Sequence, residues 1–250
     1  MNSFDFYSPT YFIFGKEREK EVGAYVKKFD GSRCLVVYGG QSAKRSGLLD
    51  RVKDSLEEAG VCVEELGGVR PNPRDGLVYE GIELCRRQKV DFLLAVGGGS
   101  VIDTAKAIAM GAVYDGDFWE FFTGKVPENA LPVGTVLTIA ASGSEGSPDS
   151  VITNEKTLEK NAAEANCLRP KFSVLNPALT ESLPPFQTAC GVTDIIAHAF
   201  ERYFTNTKDV EITDRLLEGV VLTMLHEGRR VMADPRNYEA RANIMWAGMV

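Results

Sequence analysis

At 250 residues, 44% hydrophobic and 25% charged, the chain can bury one large core or two smaller ones. Its formal charge is −7, and its basic residues come as isolated pairs such as Lys27-Lys28 and Arg229-Arg230, so it presents no electrostatic footprint for nucleic acid. No apolar run reaches the roughly 18 residues that cross a bilayer, and residues 1–9 lack the basic and apolar regions of a secretory signal. Cys34, Cys62, Cys85, Cys167 and Cys190 are odd in number, widely spaced and form no C-x-x-C, so they read as reduced thiols of a cytoplasmic protein.

In chain order, Arg33 to Tyr38 is a short β-rich apolar run stopped by Gly39-Gly40. A helical pattern follows, with Leu48, Leu49, Val52 and Leu56 on one side and Gly60 as its stop. Val61 to Leu66 alternates as a strand, and Gly76 to Gln88 reads as a helix after the Pro71-Asn72-Pro73 break. Val90 to Val96 is a buried-strand run ending in Gly97-Gly98-Gly99-Ser100, with a helix over Val101 to Met110 directly behind it. Leu131 to Ala141 is one further apolar strand. Strands that alternate with helices predict a parallel sheet covered on both faces. From Phe186 onward the pattern is long amphipathic helix with almost no strand signal, and Pro184-Pro185 is a candidate hinge. The predicted fold class is therefore α/β: a parallel-sheet domain over 1–183, then the start of an all-helical segment over 184–250.

Three strand-end loops carry the chemistry of nucleotide binding. At Gly97-Gly98-Gly99-Ser100, glycines let the backbone approach an anion, and the following helix supplies free N–H groups and a partial positive charge. Ile102 stands where the third glycine of G-x-G-x-x-G would be, and no Gly-Lys-Ser/Thr follows, so a sharp structural bend is the competing account. Asp103 and Lys106 lie one and two turns into this helix. After Gly39-Gly40-Gln41-Ser42 there is no acid to grip a ribose 2′-hydroxyl; Lys44 and Arg45 follow instead and favour NADP(H) over NAD(H), against the alternative of a plain basic loop. The third loop, Thr138 to Ser150, is rich in small hydroxyl residues suited to line a nucleotide cleft or to form a surface loop. Within it Ser142-Gly143-Ser144-Glu145-Gly146 misses the G-x-S-x-G nucleophile elbow by its first glycine, which leaves a serine hydrolase of Ser144 and His198 as a distant third reading.

Asp194 and His198 are spaced i, i+4, so on a helix a carboxylate oxygen and an imidazole nitrogen share one face and can grip one divalent ion. A surface pair or cap is the competing account, and two ligands are too few for a catalytic site, which needs three or more and an open position. The second histidine, His226, reads as a half-exposed helix residue near Glu227 and Arg229.

Together the strings from Val36 to Gly47, Arg70 to Arg74, Gly97 to Ala109, Thr138 to Ser144 and Gly191 to Tyr203 resemble the iron-containing (group III) alcohol dehydrogenases, in particular their butanol dehydrogenase and NADP(H)-preferring aldehyde reductase branch. The resemblance implies a dinucleotide-binding α/β domain followed by a helical metal-binding domain. It places Gly39, Gly40, Ser42 and Asn72 on the adenosine side of NADP(H) or NAD(H), and Gly98, Gly99, Ser100 and Asp103 on the pyrophosphate and nicotinamide side. Thr138, Ser142 and Lys160 also match cofactor-contacting positions, with Leu179 packed nearby. Asp194 and His198 match the first two of four ligands to Fe²⁺ or Zn²⁺, which gives them the catalytic role of holding the metal that polarises a small alcohol or aldehyde. A homodimer is implied for the complete enzyme. Ser142 replaces the family's threonine, Ser147 its asparagine and Ala140 its proline. The chain stops before the helices that carry the other two ligands, so the resemblance also implies a truncated chain, either an enzyme portion or a catalytically inactive nucleotide-binding fragment. Ile244, Met245, Trp246 and Met249 are then expected to lack partners.

Overall fold

The two most apolar runs lie side by side. β2 (Arg33–Tyr38) and β4 (Phe92–Gly97) pair in parallel with Val36 opposite Leu94, and every residue of β4 is buried. A strand covered on both faces gains nothing from polar alternation, which is why both segments are continuous apolar runs. In the computed structural model, which describes residues 2–250, four further strands complete a parallel sheet: β1 (Tyr11–Phe14), β3 (Cys62–Leu66), β5 (Val133–Leu137) and β8 (Phe172–Leu175). The order is β1-β8-β5-β4-β2-β3. The chain therefore steps outward to one side after β2 and to the other after β4, and this reversal opens a crevice at the carboxyl ends of those two strands.

Helices α1 (Val22–Lys28), α2 (Ser42–Arg45), α3 (Leu48–Glu58), α4 (Asp75–Gln88) and α5 (Gly99–Ala112) pack around this sheet. α3 buries Leu48, Leu49, Val52 and Leu56, as its periodicity predicts, and the chain turns off it at Gly60 with φ +71°. α5 is buried around most of its circumference, between β4, α4 and β6 (Asp149–Thr153). Its run of Ala105, Ala107 and Ala109 keeps it thin enough to sit there. β6 pairs antiparallel with β7 (Lys160–Glu164) in a hairpin outside the main sheet.

The predicted strand over Leu131 to Ala141 is shortened to β5, because the chain leaves the sheet at Thr138. β1, β6, β7, β8 and α1 are not among the elements predicted from the sequence. They are four to seven residues long, and β7 (Lys-Asn-Ala-Ala-Glu) has little intrinsic strand preference; such strands form because a partner is waiting.

The chain divides into two compact units. One holds the sheet, with residues 9–137 and 144–175; the other holds residues 138–143 and 176–250 with the N-terminal residues. In the second, α6 (Pro185–Tyr203), α7 (Glu211–Ala233) and α8 (Tyr238–Met249) pack in sequence. Pro184-Pro185 is the start of α6, with Pro185 at its first helical position, where its fixed φ suits a helix and its missing N–H is not needed. Gly191 lets α6 close on the 138–143 segment: a Cβ there would lie 2.4 Å from the Ala140 carbonyl oxygen.

The expectation that the last helix lacks partners is corrected in part. Ile244 and Met245 are buried, at 6% and 0% exposure, because α8 turns that side onto α7 and the 3₁₀ turn Pro177–Thr180; Trp246 is half exposed. All five cysteines are free. Among the described residues, no helix is long and apolar enough to cross a membrane.

Two alanine substitutions test this packing. Gly191→Ala pushes a methyl into a backbone carbonyl and is expected to lower the unfolding free energy by about 1–3 kcal/mol. Gly219→Ala, at an exposed position of α7 where an added Cβ meets nothing within 4 Å, is expected to raise it by about 0.5–1 kcal/mol. Urea unfolding measures both, and shifts of the same sign would discard the close-approach account of Gly191.

Candidate functional site

Two glycine turns leave the carboxyl ends of neighbouring strands. Gly39-Gly40 follows β2 and Gly97-Gly98-Gly99 follows β4. Gly97 is constrained by the protein itself, since a Cβ there would meet the Val101 side chain at 2.5 Å. Gly40 is different: nothing lies within 4 Å of an added Cβ, and Gly39 would meet the Val69 carbonyl oxygen only at 3.5 Å. The protein therefore does not use the bareness of Gly40, and the space above it is free for a ligand. α5 begins at Gly99 with no side-chain cap; the Val101 N–H donates to the Gly98 carbonyl, so the Gly99 and Ser100 N–H groups are the ones open to an anion at the positive end of the helix. These features fit a dinucleotide pyrophosphate. Ser42, Lys44 and Arg45 form the short exposed α2 beyond Gly40, with Lys44 Nζ 5.0 Å from the centroid of the Tyr38 ring.

A second group joins the loop after β3 to the hairpin. Asn72 adopts φ +54°, a left-handed conformation that asparagine tolerates better than most residues, and its Oδ1 accepts a hydrogen bond from Lys160 Nζ at 2.9 Å. The Thr153 N–H donates to Pro73 O at 2.8 Å and the Glu155 N–H to the buried Asp75 at 3.0 Å, so the hairpin is docked by main-chain and side-chain bonds. A polar cleft of about 220 Å³ opens beside this loop, lined by Arg70, Arg74, Glu80, Thr104 and Glu155 among others.

Asp103 and Lys106 reach inward from α5. Asp103 Oδ1 accepts from Ser144 Oγ at 2.7 Å and Oδ2 from the Val151 N–H at 3.3 Å. Lys106 is fully buried and donates to main-chain oxygens of the turn that contains Ser144. Burial pushes the Asp103 carboxyl up, pulls Lys106 down to about 8 and pushes Glu145 up to about 7. Ser144 is 5% exposed with its hydroxyl given to Asp103, so it has neither the access nor the free proton of a nucleophile. Asp103 and Lys106 are visible in the sequence as residues of α5, but their partners come from 38 to 48 residues away.

In the helical unit, Asp194 and His198 share one face of α6, with Asp194 Oδ2 3.9 Å from His198 Nε2 and both side chains partly exposed. Metal bonds of about 2.0–2.2 Å can span donors that far apart, and a mixed O/N pair suits Fe²⁺ or Zn²⁺. Glu201, missed in the sequence, lies one turn on with Oε2 3.6 Å from His198 Nδ1. That gap is longer than a hydrogen bond and Glu201 is 78% exposed, so the two are surface neighbours at i, i+3 spacing. Among the described residues no group of three or more His, Cys, Asp and Glu side chains is placed to hold an ion. Thr138 and Leu179 are half-buried and Ser142 exposed, all in this unit. His226 is 72% exposed, with Nδ1 3.1 Å from Glu227.

Residues 9–177 match the family model "Iron-containing alcohol dehydrogenase", and residues 188–250 match "Fe-containing alcohol dehydrogenase family, C-terminal". The chain is 48% identical to the probable NADH-dependent butanol dehydrogenase 2 of Bacillus subtilis over 100% of its own length and 64% of that protein's. To the NADPH-dependent aldehyde reductase YqhD of Escherichia coli it is 42% identical, over 99% and 64% of the two lengths. The crystal structure of NADH-dependent butanol dehydrogenase A from Thermotoga maritima superposes with a TM-score of 0.97 at 41% identity, covering 100% of this chain and 63% of that one. The chain thus spans a little under two thirds of these relatives. On the match to both family models, the chain belongs to the iron-containing alcohol dehydrogenase family.

Proposed function

We propose that this chain forms the nucleotide-binding part and the opening of the metal-binding part of a nicotinamide-dependent alcohol dehydrogenase or aldehyde reductase. The observation that carries the reading is the pair of glycine turns on β2 and β4 at the strand-order reversal, with the open space over Gly40. Relatives named butanol dehydrogenase and aldehyde reductase support a small primary alcohol or aldehyde as substrate. The domain division at 183/184 belongs to this reading, as does a cytoplasmic location, which the five free cysteines support.

Each residue then has a physical task. Gly39, Gly40 and Ser42 receive the adenosine end, and Gly98, Gly99, Ser100 and the α5 N-terminus the pyrophosphate. Asn72 and Lys160, already joined by a hydrogen bond, lie beside the ribose, with Thr138, Ser142 and Leu179 as further cofactor contacts. Asp103 is turned to the protein's own loop, so its contribution to the cofactor is to shape that loop as well as any direct contact. Asp194 and His198 would hold the metal. A bound Fe²⁺ or Zn²⁺ supplies Lewis acidity to the substrate oxygen. A nicotinamide held by the glycine turns and the α5 N-terminus would supply the hydride acceptor for alcohol oxidation and the hydride donor for aldehyde reduction.

The relatives include NADH-dependent and NADPH-dependent enzymes. The absence of an acid after β2, with Lys44 and Arg45 exposed beyond Gly40, favours NADP(H) here.

Gly40→Ala is expected to leave the urea midpoint unchanged yet weaken NADPH or NADH binding by about tenfold or more, one displaced contact's worth. Unchanged affinity by fluorescence titration would remove the glycine turn from the site. Lys44→Ala combined with Arg45→Ala is expected to weaken NADPH by about tenfold and leave NADH alone; equal losses would assign no 2′-phosphate contact. In an active holoenzyme, Asp194→Ala or His198→Ala is expected to cut turnover by more than about 100-fold and to lower metal content, since even the outer partners of metal ligands are worth about 10- to 100-fold. NADPH affinity should not change. Near-normal turnover in the presence of a chelator would end the metal assignment.

A further inference from the structure

One side chain fastens the turn at 144–149 to the helix beneath it. Lys106 Nζ donates to the main-chain oxygens of Ser144 at 2.7 Å, Ser147 at 2.9 Å and Asp149 at 2.9 Å. The hydroxyls of Ser144 and Ser147 stand at 3.2 and 3.4 Å. An ammonium has three N–H donors, and here three carbonyls converge on it, one for each. Asp103, one turn earlier on α5, takes the Ser144 hydroxyl and the Val151 N–H, and its main-chain oxygen takes the Ser150 hydroxyl at 2.8 Å. The segment from Ser144 to Val151 is thus held from one face of α5 by a buried ion and its neighbour. The Ser147 hydroxyl, at the position where the sequence resemblance expects an asparagine, also accepts the Asp149 N–H at 3.2 Å. Its oxygen is engaged inside the turn.

We propose that Lys106 is a positioning residue for dinucleotide binding: as an ammonium it folds the 144–149 turn onto the helix whose N-terminus receives the pyrophosphate, without touching the ligand. This rests on the dinucleotide reading above. The physical reason is donor count. A neutral amine keeps two N–H groups and presents a lone pair, so one of the three carbonyls faces another electron pair and loses its partner while buried, and the turn must open to satisfy it. Loss of the charge also leaves Asp103 without its cation close to the place where phosphate oxygens bind.

The charged groups facing Lys106 are Asp103 on its own helix, Asp149 at the start of β6, Glu145 in the turn and Arg169 beyond β7. Burial outweighs the three acids and sets the Lys106 transition near pH 8 instead of its ordinary 10.5. Linkage then gives a sign that separates local from global effects. Between those two values the unfolded chain binds more protons than the folded one, so this group makes stability rise with pH. Dinucleotide affinity should do the opposite and fall. Alkaline unfolding would lower both.

The test is fluorescence titration of the wild-type protein with NADH and NADPH from about pH 7 to about pH 9.5, with thermal midpoints at each pH. Above the transition, affinity is expected to fall about tenfold per pH unit with one-proton character, while the midpoint does not fall with it. Lys106→Met should bind at least about tenfold more weakly at neutral pH and lose the pH step. Lys106→Arg, charged throughout, should keep binding and lose the step. Affinity that is flat with pH in the wild type overturns the proposal and leaves the dinucleotide reading standing, even if neither variant folds; so does a folded Lys106→Met with wild-type affinity and the same pH step. Absence of NADH and NADPH binding at neutral pH overturns the dinucleotide reading itself, and this proposal with it.

Discussion

The parallel pairing of β2 with β4 is the constraint on which the sheet-bearing unit is built. Both strands are covered on both faces, so they can be flanked only by further strands and by helices, and a parallel connection forces a helix over the sheet after each. Because the chain departs in opposite directions after these two strands, no helix crosses the gap at their carboxyl ends. The glycine turns sit at that gap, where the backbones leaving two neighbouring strands lie side by side.

Around this crevice the protein uses buried polar contacts, where the rest of the unit uses apolar packing. α5 is nearly enclosed, yet it carries a lysine and an aspartate toward the loop after β5. A buried ammonium is costly unless each proton has an acceptor, and here the acceptors are main-chain oxygens of a loop that would otherwise have unpaired carbonyls of its own. Helix and loop therefore solve each other's desolvation problem, and the loop conformation follows from the helix. The hairpin is tied in a similar manner, by N–H groups that donate to the Pro73 carbonyl and the Asp75 carboxylate and by the Lys160–Asn72 bond.

The helical unit follows a different logic. Its helices approach through small residues: Gly191 against the Ala140 carbonyl, Gly228 against Val192 and Gly248 against Ile195. This packing consumes one side of α6 and leaves the side bearing Asp194, His198 and Glu201 partly exposed. Donor atoms are thus aligned by helix periodicity and kept accessible by the burial of other faces.

Much of this was legible in the amino-acid order alone. Continuous apolar runs ending in glycine fixed β2 and β4 and the helices behind them, because burial on two faces and the need for a sharp turn leave direct compositional marks. The i, i+4 spacing of Asp194 and His198 determined that they share a helix face, since α-helix geometry is local. What tertiary structure alone decided is where short or weakly patterned segments go and which distant groups meet. β7 becomes a strand only beside β6, Ile244 and Met245 become core only against their helical neighbours, and Lys106 acquires its meaning from carbonyls some 40 residues away. Main-chain carbonyls are the same in every residue, so no sequence pattern announces which of them will converge on a buried cation; only the folded path of the chain selects them.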